Sequence, residues 1–252
     1  MAKARLGKVL CTLFFAAIAA IPAAASAADK VDLLLVLAAD VSRSVDNGKF
    51  QLQRDGYATA ISDPRVLEAI RSGRAGRIGL TYVEWSGAGS QQVVIDWTSI
   101  GGAEDAKGFG DRLLEAPRSF ADRTSISAAI DFSMGQLAKA PFDSERHTID
   151  ISGDGTNNAG RDVTLARDEA LAQGVTINGL VIFSETPLPW NPDHTNPAGG
   201  LDNYYRTHVV GGTGAFVMAA ESFASFGRAI IKKLIAEIAL SQPGSARQAS
   251  AR

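Results

Sequence analysis

The sequence is poor in cysteine and has no long apolar segment after its first residues. Its only cysteine, Cys11, lies in an N-terminal apolar stretch, so a chain cleaved after that stretch has neither a disulfide nor a thiolate metal site. Beyond that stretch, no run approaches the roughly 20 apolar residues of a membrane-spanning helix. The Gly-x-Ser-x-Gly pattern of hydrolases is absent, and the three histidines lack the i, i+4 spacing of a zinc site.

The N-terminal segment has the three parts of a secretory signal peptide. Lys3, Arg5 and Lys8 precede an apolar run, which ends shortly before the small residues Ala25-Ser26-Ala27. The alternative is a membrane anchor, but the run from Val9 to Ile21 has only 13 residues. We therefore expect residues 1–27 to be removed and the protein to be periplasmic or secreted.

The charge balance argues against a nucleic-acid partner. The chain has 25 basic and 27 acidic residues, and losing the three basic residues of the signal peptide changes the formal net charge from −2 to −5. No basic stripe remains to neutralise phosphates. At the other end, residues 241–252 are small and polar, which is typical of a disordered tail.

Strand-like and helical patterns alternate through residues 28–240, which predicts a single α/β domain with a doubly wound, mostly parallel sheet. A glycine-rich turn between two strands predicts a hairpin, and hence one antiparallel edge strand. The predicted strands cover 31–39, 77–85, 92–97, 147–152, 175–183 and 208–218. The predicted helices cover 47–61, 64–71, 103–115, 125–138, 161–173 and a segment that carries Phe223 to Ile238.

Two aspartates lie where ligands bind in such sheets, at the carboxyl ends of strands. Asp40 closes the first buried strand and is followed by Ser42 and Ser44, whereas Asp154 follows the strand at 147–152. Alternate residues of a turn can point the same way, so one carboxylate and two hydroxyls can converge. Carboxylates and hydroxyls are hard oxygen ligands, which suit Mg²⁺, Mn²⁺ or Ca²⁺.

Each of these residues also has a structural interpretation. Ser42 or Ser44 could cap the next helix, Thr124 could cap the helix at 125–138, and Asp154 could begin an ordinary turn. Asp150 interrupts a strand whose other residues predict burial. It either supports the metal-binding residues through contacts with them or faces solvent on an edge strand.

Three segments together resemble the metal-ion-dependent adhesion site of von Willebrand factor type A (VWA) domains. They are VLAADVSRS, RTSISAAI and IDISGDGTNN, and the similarity extends over about residues 30–240. Further segments, among them TYVEWSGAG and GGTGAF, resemble a bacterial subfamily of unknown function (DUF1194) within that superfamily. The resemblance implies a Rossmann-like sheet with helices on both faces.

The same resemblance implies a ligand set and a kind of partner. Its ligands to a divalent cation are Asp40, Ser42, Ser44, Thr124 and Asp154. An acidic side chain of a protein partner typically completes the coordination. The sequence departs from the family at Arg43, which puts a cation beside the metal, and at Gly153, where threonine is usual.

An enzyme is the alternative function. Gly153-Asp154-Gly155-Thr156 also resembles a signature of lipid and NAD kinases, but the upstream glycine-rich phosphate loop is absent and export separates the chain from ATP. A hydrolase that uses Ser42 and one histidine is the other possibility. We favour a binding domain.

The connection 184–203 is a candidate wall of the partner site. It is long for a loop without regular structure and leaves the same sheet edge as Asp40 and Asp154. Trp190 offers a large contact surface of the type enriched at binding hot spots. We expect it to act with Arg43, and we expect Glu185 or Asp193 either to contact the partner or to reach the metal.

Overall fold

The structure is a computed structural model, which describes residues 28–183 and 188–239. The predicted signal peptide, Glu185 and the predicted tail lie outside these residues. Within them, no helix has the length and apolar character needed to cross a membrane.

The described residues form eight strands and eight α-helices, with strands and helices interspersed along the sequence. The strands are β1 (Asp29–Lys30), β2 (Leu34–Asp40), β3 (Ile78–Trp85), β4 (Gln91–Ile100), β5 (Phe142–Asp143), β6 (His147–Gly153), β7 (Thr176–Ile182) and β8 (Val217–Ala220). The helices are α1 (Asn47–Ile61), α2 (Pro64–Arg71), α3 (Ala103–Glu115), α4 (Ile126–Leu137), α5 (Val163–Ala172), α6 (Pro192–Thr195), α7 (Leu201–Tyr204) and α8 (Phe226–Ala239).

The main sheet has six strands in the order β4-β3-β2-β6-β7-β8, and β1 pairs with β5 in a small separate ladder. Every pair of the main sheet is parallel except β3 and β4, which form the predicted hairpin. The chain builds outward from β2 to one edge and then from β6 to the other. The strand order therefore reverses between β2 and β6, which is where ligands bind in open α/β sheets.

The sheet has a hydrophobic core on each face because successive side chains of a strand point to opposite sides. In β2, Leu35 and Leu37 join the core beneath α1, α2, α3 and α8, whereas Leu34 and Val36 join the core beneath α4 and α5. Strand β2 is buried on both faces, which explains its continuous apolar run. The predicted α/β fold with helices on both faces is confirmed.

The predicted strand at 208–218 is largely wrong. Residues 205–209 continue α7 as a π-helical turn, Gly211 makes an isolated antiparallel bridge with Ile177 of β7, and the paired strand β8 covers only Val217–Ala220. Between them, Gly212 and Gly214 have φ of 99° and 73°, a conformation that favours glycine and ends regular structure. The connection 184–203 also contains more regular structure than predicted, because α6 and the first three residues of α7 lie within it.

Asp150 neither lies at an edge nor faces solvent. It is fully buried in β6, and its Oδ1 lies 2.7 Å from Nζ of Lys233 in α8. The same ammonium group lies 2.5 Å from Oε1 of Glu237. Burial and the neighbouring Glu237 carboxylate raise the pKa of Asp150 to about 7, against the lowering effect of Lys233. These three charges attach the last helix to the middle of the sheet.

Candidate metal centre

Contacts at the carboxyl ends of β2 and β6 link four of the predicted metal ligands, Asp40, Ser42, Ser44 and Asp154, and the loop after β6 holds the fifth, Thr124; we call the five residues the oxygen cluster. All five are nearly fully buried, with Ser44 the most exposed at 6%. The cluster consists of Asp40, Ser42, Ser44, Thr124 and Asp154. Across the part of the chain that the structure describes, no three His, Cys, Asp or Glu side chains converge as a metal site. A metal at the cluster would therefore depend on its hydroxyls.

Direct contacts join the first motif to Asp154. The backbone N–H of Ser42 donates to Asp40 Oδ1 at 2.7 Å, which folds the turn after β2. The Ser42 and Ser44 hydroxyl oxygens lie 3.0 Å apart, and Ser44 donates to Asp154 Oδ1 at 2.5 Å. The serines do not cap α1, because its N-cap is Asp46, whose side chain accepts from Lys49 N. The capping interpretation of Ser42 and Ser44 is thus wrong.

Thr124 is held in place by the loop after β6. Its N–H donates to Asn158 Oδ1 at 2.9 Å, and its carbonyl accepts from Asn158 N at 2.8 Å. Helix α4 is capped by the next residue, Ser125, which leaves the Thr124 hydroxyl for other contacts. The capping interpretation of Thr124 is therefore wrong as well.

Burial disfavours the charged form of both carboxylates in the cluster. Burial, followed by repulsion from Asp154, raises the pKa of Asp40 to about 8. Burial also raises the pKa of Asp154, while the Ser44 hydrogen bond and Lys49 act in the opposite direction. Oδ2 of Asp40 and Oδ2 of Asp154 are buried and accept no hydrogen bond. The cluster therefore has two carboxylate oxygens that a cation can contact.

Two basic side chains that the sequence reasoning missed border the cluster. Lys49 Nζ lies 3.7 Å from Asp154 Oδ2 and donates to the Ser44 carbonyl at 2.8 Å. Arg118 donates to the carbonyls of Val41 at 2.9 Å and Val45 at 2.6 Å, so it holds the loop that carries both serines. Every residue has a backbone carbonyl, so no sequence pattern marks where such a hydrogen bond will form. The contacts of Lys49 and Arg118 could therefore not be predicted from the sequence.

Tyr205 explains why glycine precedes Asp154. A Cβ at Gly153 would stand 2.6 Å from the Tyr205 hydroxyl and 3.1 Å from Asp40 Oδ2. The hydroxyl is buried without a hydrogen-bond partner, beside both carboxylates, whose charges raise the pKa of Tyr205 in addition to the larger effect of burial. A phenol oxygen thus occupies the space that a threonine at position 153 would fill. The Tyr204-Tyr205 pair was a visible signal, but its role was not.

His194 brings the connection after β7 to the cluster. Its ring is buried, and Nε2 lies 3.2 Å from the Thr124 hydroxyl oxygen. Burial lowers the pKa of His194, and the nearby Asp154 carboxylate raises it. The sequence marked this histidine only as one of three without metal spacing, because its neighbours in space are distant in the chain.

Three of the predicted partner residues, Arg43, Trp190 and Asp193, lie on the surface. Arg43 is exposed, and its N–H donates to the Asp122 carbonyl at 3.0 Å. Trp190 is 73% exposed, and Asp193 is exposed in α6, next to the buried His194. The structure thus places Asp193 outside the cluster.

Comparisons with known proteins support this architecture. Residues 30–242 match the family described as protein of unknown function (DUF1194), and no curated protein matches the sequence. Proximal thread matrix protein 1 from the mussel byssus is similar in structure, with a TM-score of 0.57 and 15% identity over 83% of this chain and 48% of that one. Another structure of that mussel protein is described as having a zinc-occupied MIDAS motif.

Two further structures have the same fold. A von Willebrand factor type A protein from Catenulispora acidiphila has a TM-score of 0.54 and 13% identity, over 84% of this chain and 43% of that one. The pilus adhesin SpaC from Lactobacillus rhamnosus GG has a TM-score of 0.56 and 10% identity, over 84% of this chain and 31% of that one. The chain thus spans less than half the length of these three proteins. With its VWA-like fold and its match over residues 30–242, the chain belongs to the DUF1194 family.

Proposed function

We propose that the protein is an exported, adhesion-type domain that binds a protein partner through one divalent cation held by the oxygen cluster. The observation that carries this proposal is the pair of buried carboxylates, Asp40 and Asp154, each with an oxygen that accepts no hydrogen bond. Two buried like charges are costly unless a cation neutralises them.

The chemistry of the cluster fits such an ion. Two carboxylates and three hydroxyls are hard oxygen ligands of the type that Mg²⁺ and Mn²⁺ accept, and Ca²⁺ is a further candidate. Ser42, Ser44 and Thr124 would supply the hydroxyls, and Asp40 and Asp154 would supply the charge. The bound ion would act as a Lewis acid toward an oxygen of the partner.

The surroundings favour an acidic partner. The exposed guanidinium of Arg43 follows Asp40 by three residues, and Lys49 Nζ lies 3.7 Å from Asp154 Oδ2. A divalent ion flanked by these cations attracts a carboxylate by charge and by coordination. The exposed Trp190 adds an aromatic contact on the connection that carries His194.

Packing accounts for the glycines of the kinase-like signature without a nucleotide. Gly153 leaves room for the Tyr205 hydroxyl, and Gly155 leaves room for the His194 ring, which a Cβ would overlap. The glycines thus give no support to a kinase, and we propose a binding function instead. It includes the expectation that residues 1–27 are a cleaved signal peptide and that residues 28–240 are the binding domain. The adhesin SpaC, which shares the fold, is consistent with this kind of role.

Thermal unfolding with and without metal tests the proposal. A ligand at a hundredfold excess over its Kd stabilises the native state by about 2.7 kcal/mol, so Mg²⁺ or Mn²⁺ should raise the Tm of the wild type. Asp40→Asn should raise the Tm of the chelated protein, because it removes the carboxylate repulsion, and should abolish the response to metal. The exposed Asp55→Asn is the control and should respond as the wild type does. A wild-type Tm that is indifferent to millimolar metal contradicts the proposal.

A second experiment addresses the partner. Proteins of the same exported compartment are captured on the immobilised chain, with and without chelator. A partner whose capture is lost with chelator and with Asp40→Asn supports metal-dependent adhesion. If neither chelator nor Asp40→Asn changes the capture, the partner binds independently of the oxygen cluster.

A further inference from the structure

The ammonium group of Lys49 lies at the border of the oxygen cluster and has contacts on three sides. Its Nζ donates to the Ser44 carbonyl at 2.8 Å and lies 3.7 Å from Asp154 Oδ2. On the third side it lies 5.2 Å from the centroid of the Phe223 ring. The backbone is fixed as well, because Lys49 N donates to the N-cap carboxylate of Asp46 at 2.9 Å. This lysine in the first turn of α1 thus has a defined position beside a proposed metal ligand.

The ammonium group faces the carboxylate oxygen that the proposed function assigns to the ion. Asp154 Oδ2 is buried and accepts no hydrogen bond, whereas Oδ1 accepts from the Ser44 hydroxyl at 2.5 Å. Among the described residues, the ion pair with Lys49 is the only one that Asp154 makes. Lys49 therefore compensates part of the charge at this oxygen, and a divalent ion that contacts Oδ2 must bind close to a second cation.

A divalent ion would reverse the net charge of these groups. With both carboxylates ionised, Asp40, Asp154 and Lys49 together carry one net negative charge, which the ion changes to one net positive charge. The Arg118 guanidinium, whose charge also acts on Asp40, adds to it. Without Lys49, the two carboxylates would neutralise the ion by themselves. The lysine thus leaves the loaded site with a positive charge that an incoming carboxylate neutralises.

We propose that Lys49 couples metal binding to partner binding, an inference that rests on the proposed metal site. The ammonium group repels the divalent ion, and a carboxylate of the partner, which both cations attract, offsets this repulsion. The Lys49 side chain is 26% exposed, so a carboxylate can reach it from solvent. Because coupling between two ligands is reciprocal, the ion raises the affinity for the carboxylate by the same factor. The oxygen cluster then holds its ion firmly only while a partner is bound.

The alternative is that Lys49 only ties α1 to the loop that carries the serines, through its hydrogen bond to the Ser44 carbonyl. The two roles predict opposite results when the charge is removed. Losing the repulsion strengthens metal binding, whereas loosening the loop weakens it. Lys49→Gln distinguishes the roles, because glutamine keeps a side-chain N–H donor and has no charge. Lys49→Arg keeps the charge.

Calorimetry of Mn²⁺ binding to the full chain, at one pH and one ionic strength, tests the proposal. In sodium chloride, Lys49→Gln should bind Mn²⁺ about tenfold more tightly than the wild type, the effect of one charge on a divalent ion a few ångström away even at the dielectric constant of water. Lys49→Arg should bind as the wild type does. The control is Lys139→Gln, which removes an exposed ammonium group beyond the far end of α4 and should also leave the affinity unchanged.

Acetate is the probe for the carboxylate of the partner. Replacing chloride with acetate at the same ionic strength should narrow the difference in Mn²⁺ affinity between the wild type and Lys49→Gln, because the wild type gains more from the anion. Acetate also binds free Mn²⁺, but this effect is common to the two proteins and cancels in the comparison.

The outcomes separate this inference from the proposed function. If both proteins bind Mn²⁺ and Lys49→Gln binds it no more tightly, or if acetate leaves their difference unchanged, Lys49 does not couple the two ligands and the metal site stands. If neither protein binds Mn²⁺ or Mg²⁺, the proposed function is wrong as well. Thermal unfolding in chelator shows whether each variant is folded, and Lys49→Met is the second neutral variant if Lys49→Gln is not.

Discussion

The hydroxyl oxygen of Tyr205 lies where the side chain of a larger residue at position 153 would have to stand. Only glycine leaves this space open, because a Cβ at Gly153 would be 2.6 Å from that oxygen. We therefore expect Gly153→Ala to destabilise the chain by about 1–3 kcal/mol, the usual cost of overpacking. Urea denaturation in the presence of chelator measures this change.

Two further variants make this test specific. Gly89→Ala is the control, because a Cβ there meets no atom within 4 Å. Tyr205→Phe removes the hydroxyl, so combining it with Gly153→Ala should recover part of the lost stability. Equal stability of Gly153→Ala and Gly89→Ala would contradict the proposed steric relationship.

Replacing Arg118 should loosen the loop that carries the serines of the oxygen cluster. Arg118→Gln loses the charged hydrogen bonds to the carbonyls of Val41 and Val45. We expect a loss of about 1–2 kcal/mol in unfolding free energy, and weaker Mn²⁺ binding by calorimetry. Arg123→Gln, an exposed change in the same segment, should alter neither quantity. If the two variants behave alike, Arg118 does not position the loop.

The buried charges around Asp150 predict a pH dependence. Its pKa rises from 3.8 to about 7 in the native state, so the native protein keeps a proton that the unfolded chain loses. This contribution to stability is present below about pH 4 and is lost as the pH rises to 7. Lys233, Glu237 and Tyr57 are the titratable groups whose charges act on this carboxyl or respond to it.

Denaturation of the wild type and of Asp150→Asn in chelator, at pH 5 and at pH 7, tests this dependence. The wild type should lose stability relative to the variant on going to pH 7, by at most about 1.4 kcal/mol per pH unit. The other titrating groups are common to the two proteins, so they largely cancel in the difference. A difference that is constant, or that grows in favour of the wild type, contradicts the raised pKa.

Trp190 should matter to the partner and not to the fold. Its side chain is 73% exposed, so Trp190→Ala should leave the Tm and the Mn²⁺ affinity unchanged while weakening partner capture at least tenfold. Leu165→Ala, which truncates a 55% exposed apolar side chain in α5, is the control and should leave capture unchanged. If hydrogen exchange in residues 188–200 responds to neither metal nor partner, this segment is only a connection.

Mass spectrometry of the native protein tests export. The mature chain should begin near Ala28 and contain no cysteine, because Cys11 lies in the predicted signal peptide. Ala27→Arg replaces a small residue of the predicted cleavage signal with a large one. It should prevent cleavage, so that the precursor accumulates. Native protein that keeps Met1 would show that the segment is not removed.

The fold was predictable from sequence because its signals are local. The apolar run of β2, the glycine-rich turn between β3 and β4, and the helical periodicities each depend on neighbouring residues. The exceptions were the short helices within 184–203 and the segment 208–218, which was predicted as a strand. Continuation of α7 and the positive φ of Gly212 decided its conformation instead.

The candidate site was predictable only as far as its motifs reach. Asp40, Ser42, Ser44, Thr124 and Asp154 lie at ends of elements, and their positions along the chain were enough to single them out. His194 and Tyr205 lie far along the sequence from the five motif residues, so their proximity to the site is visible only in the folded structure. Arg118 and Lys49 contact backbone carbonyls, which are the same for every residue type, so no residue pattern marks them.

The pairing of Lys233 with Asp150 makes completion of the fold depend on the end of the chain. Asp150 lies in a central strand, but the ammonium group that stabilises its charge belongs to α8, the last helix. During folding, β6 therefore cannot be buried with an ionised Asp150 until α8 has packed against the sheet. A chain that stops before Lys233 can bury β6 only with Asp150 protonated and without its ion pair, and this distinguishes it from the finished protein for proteases and chaperones.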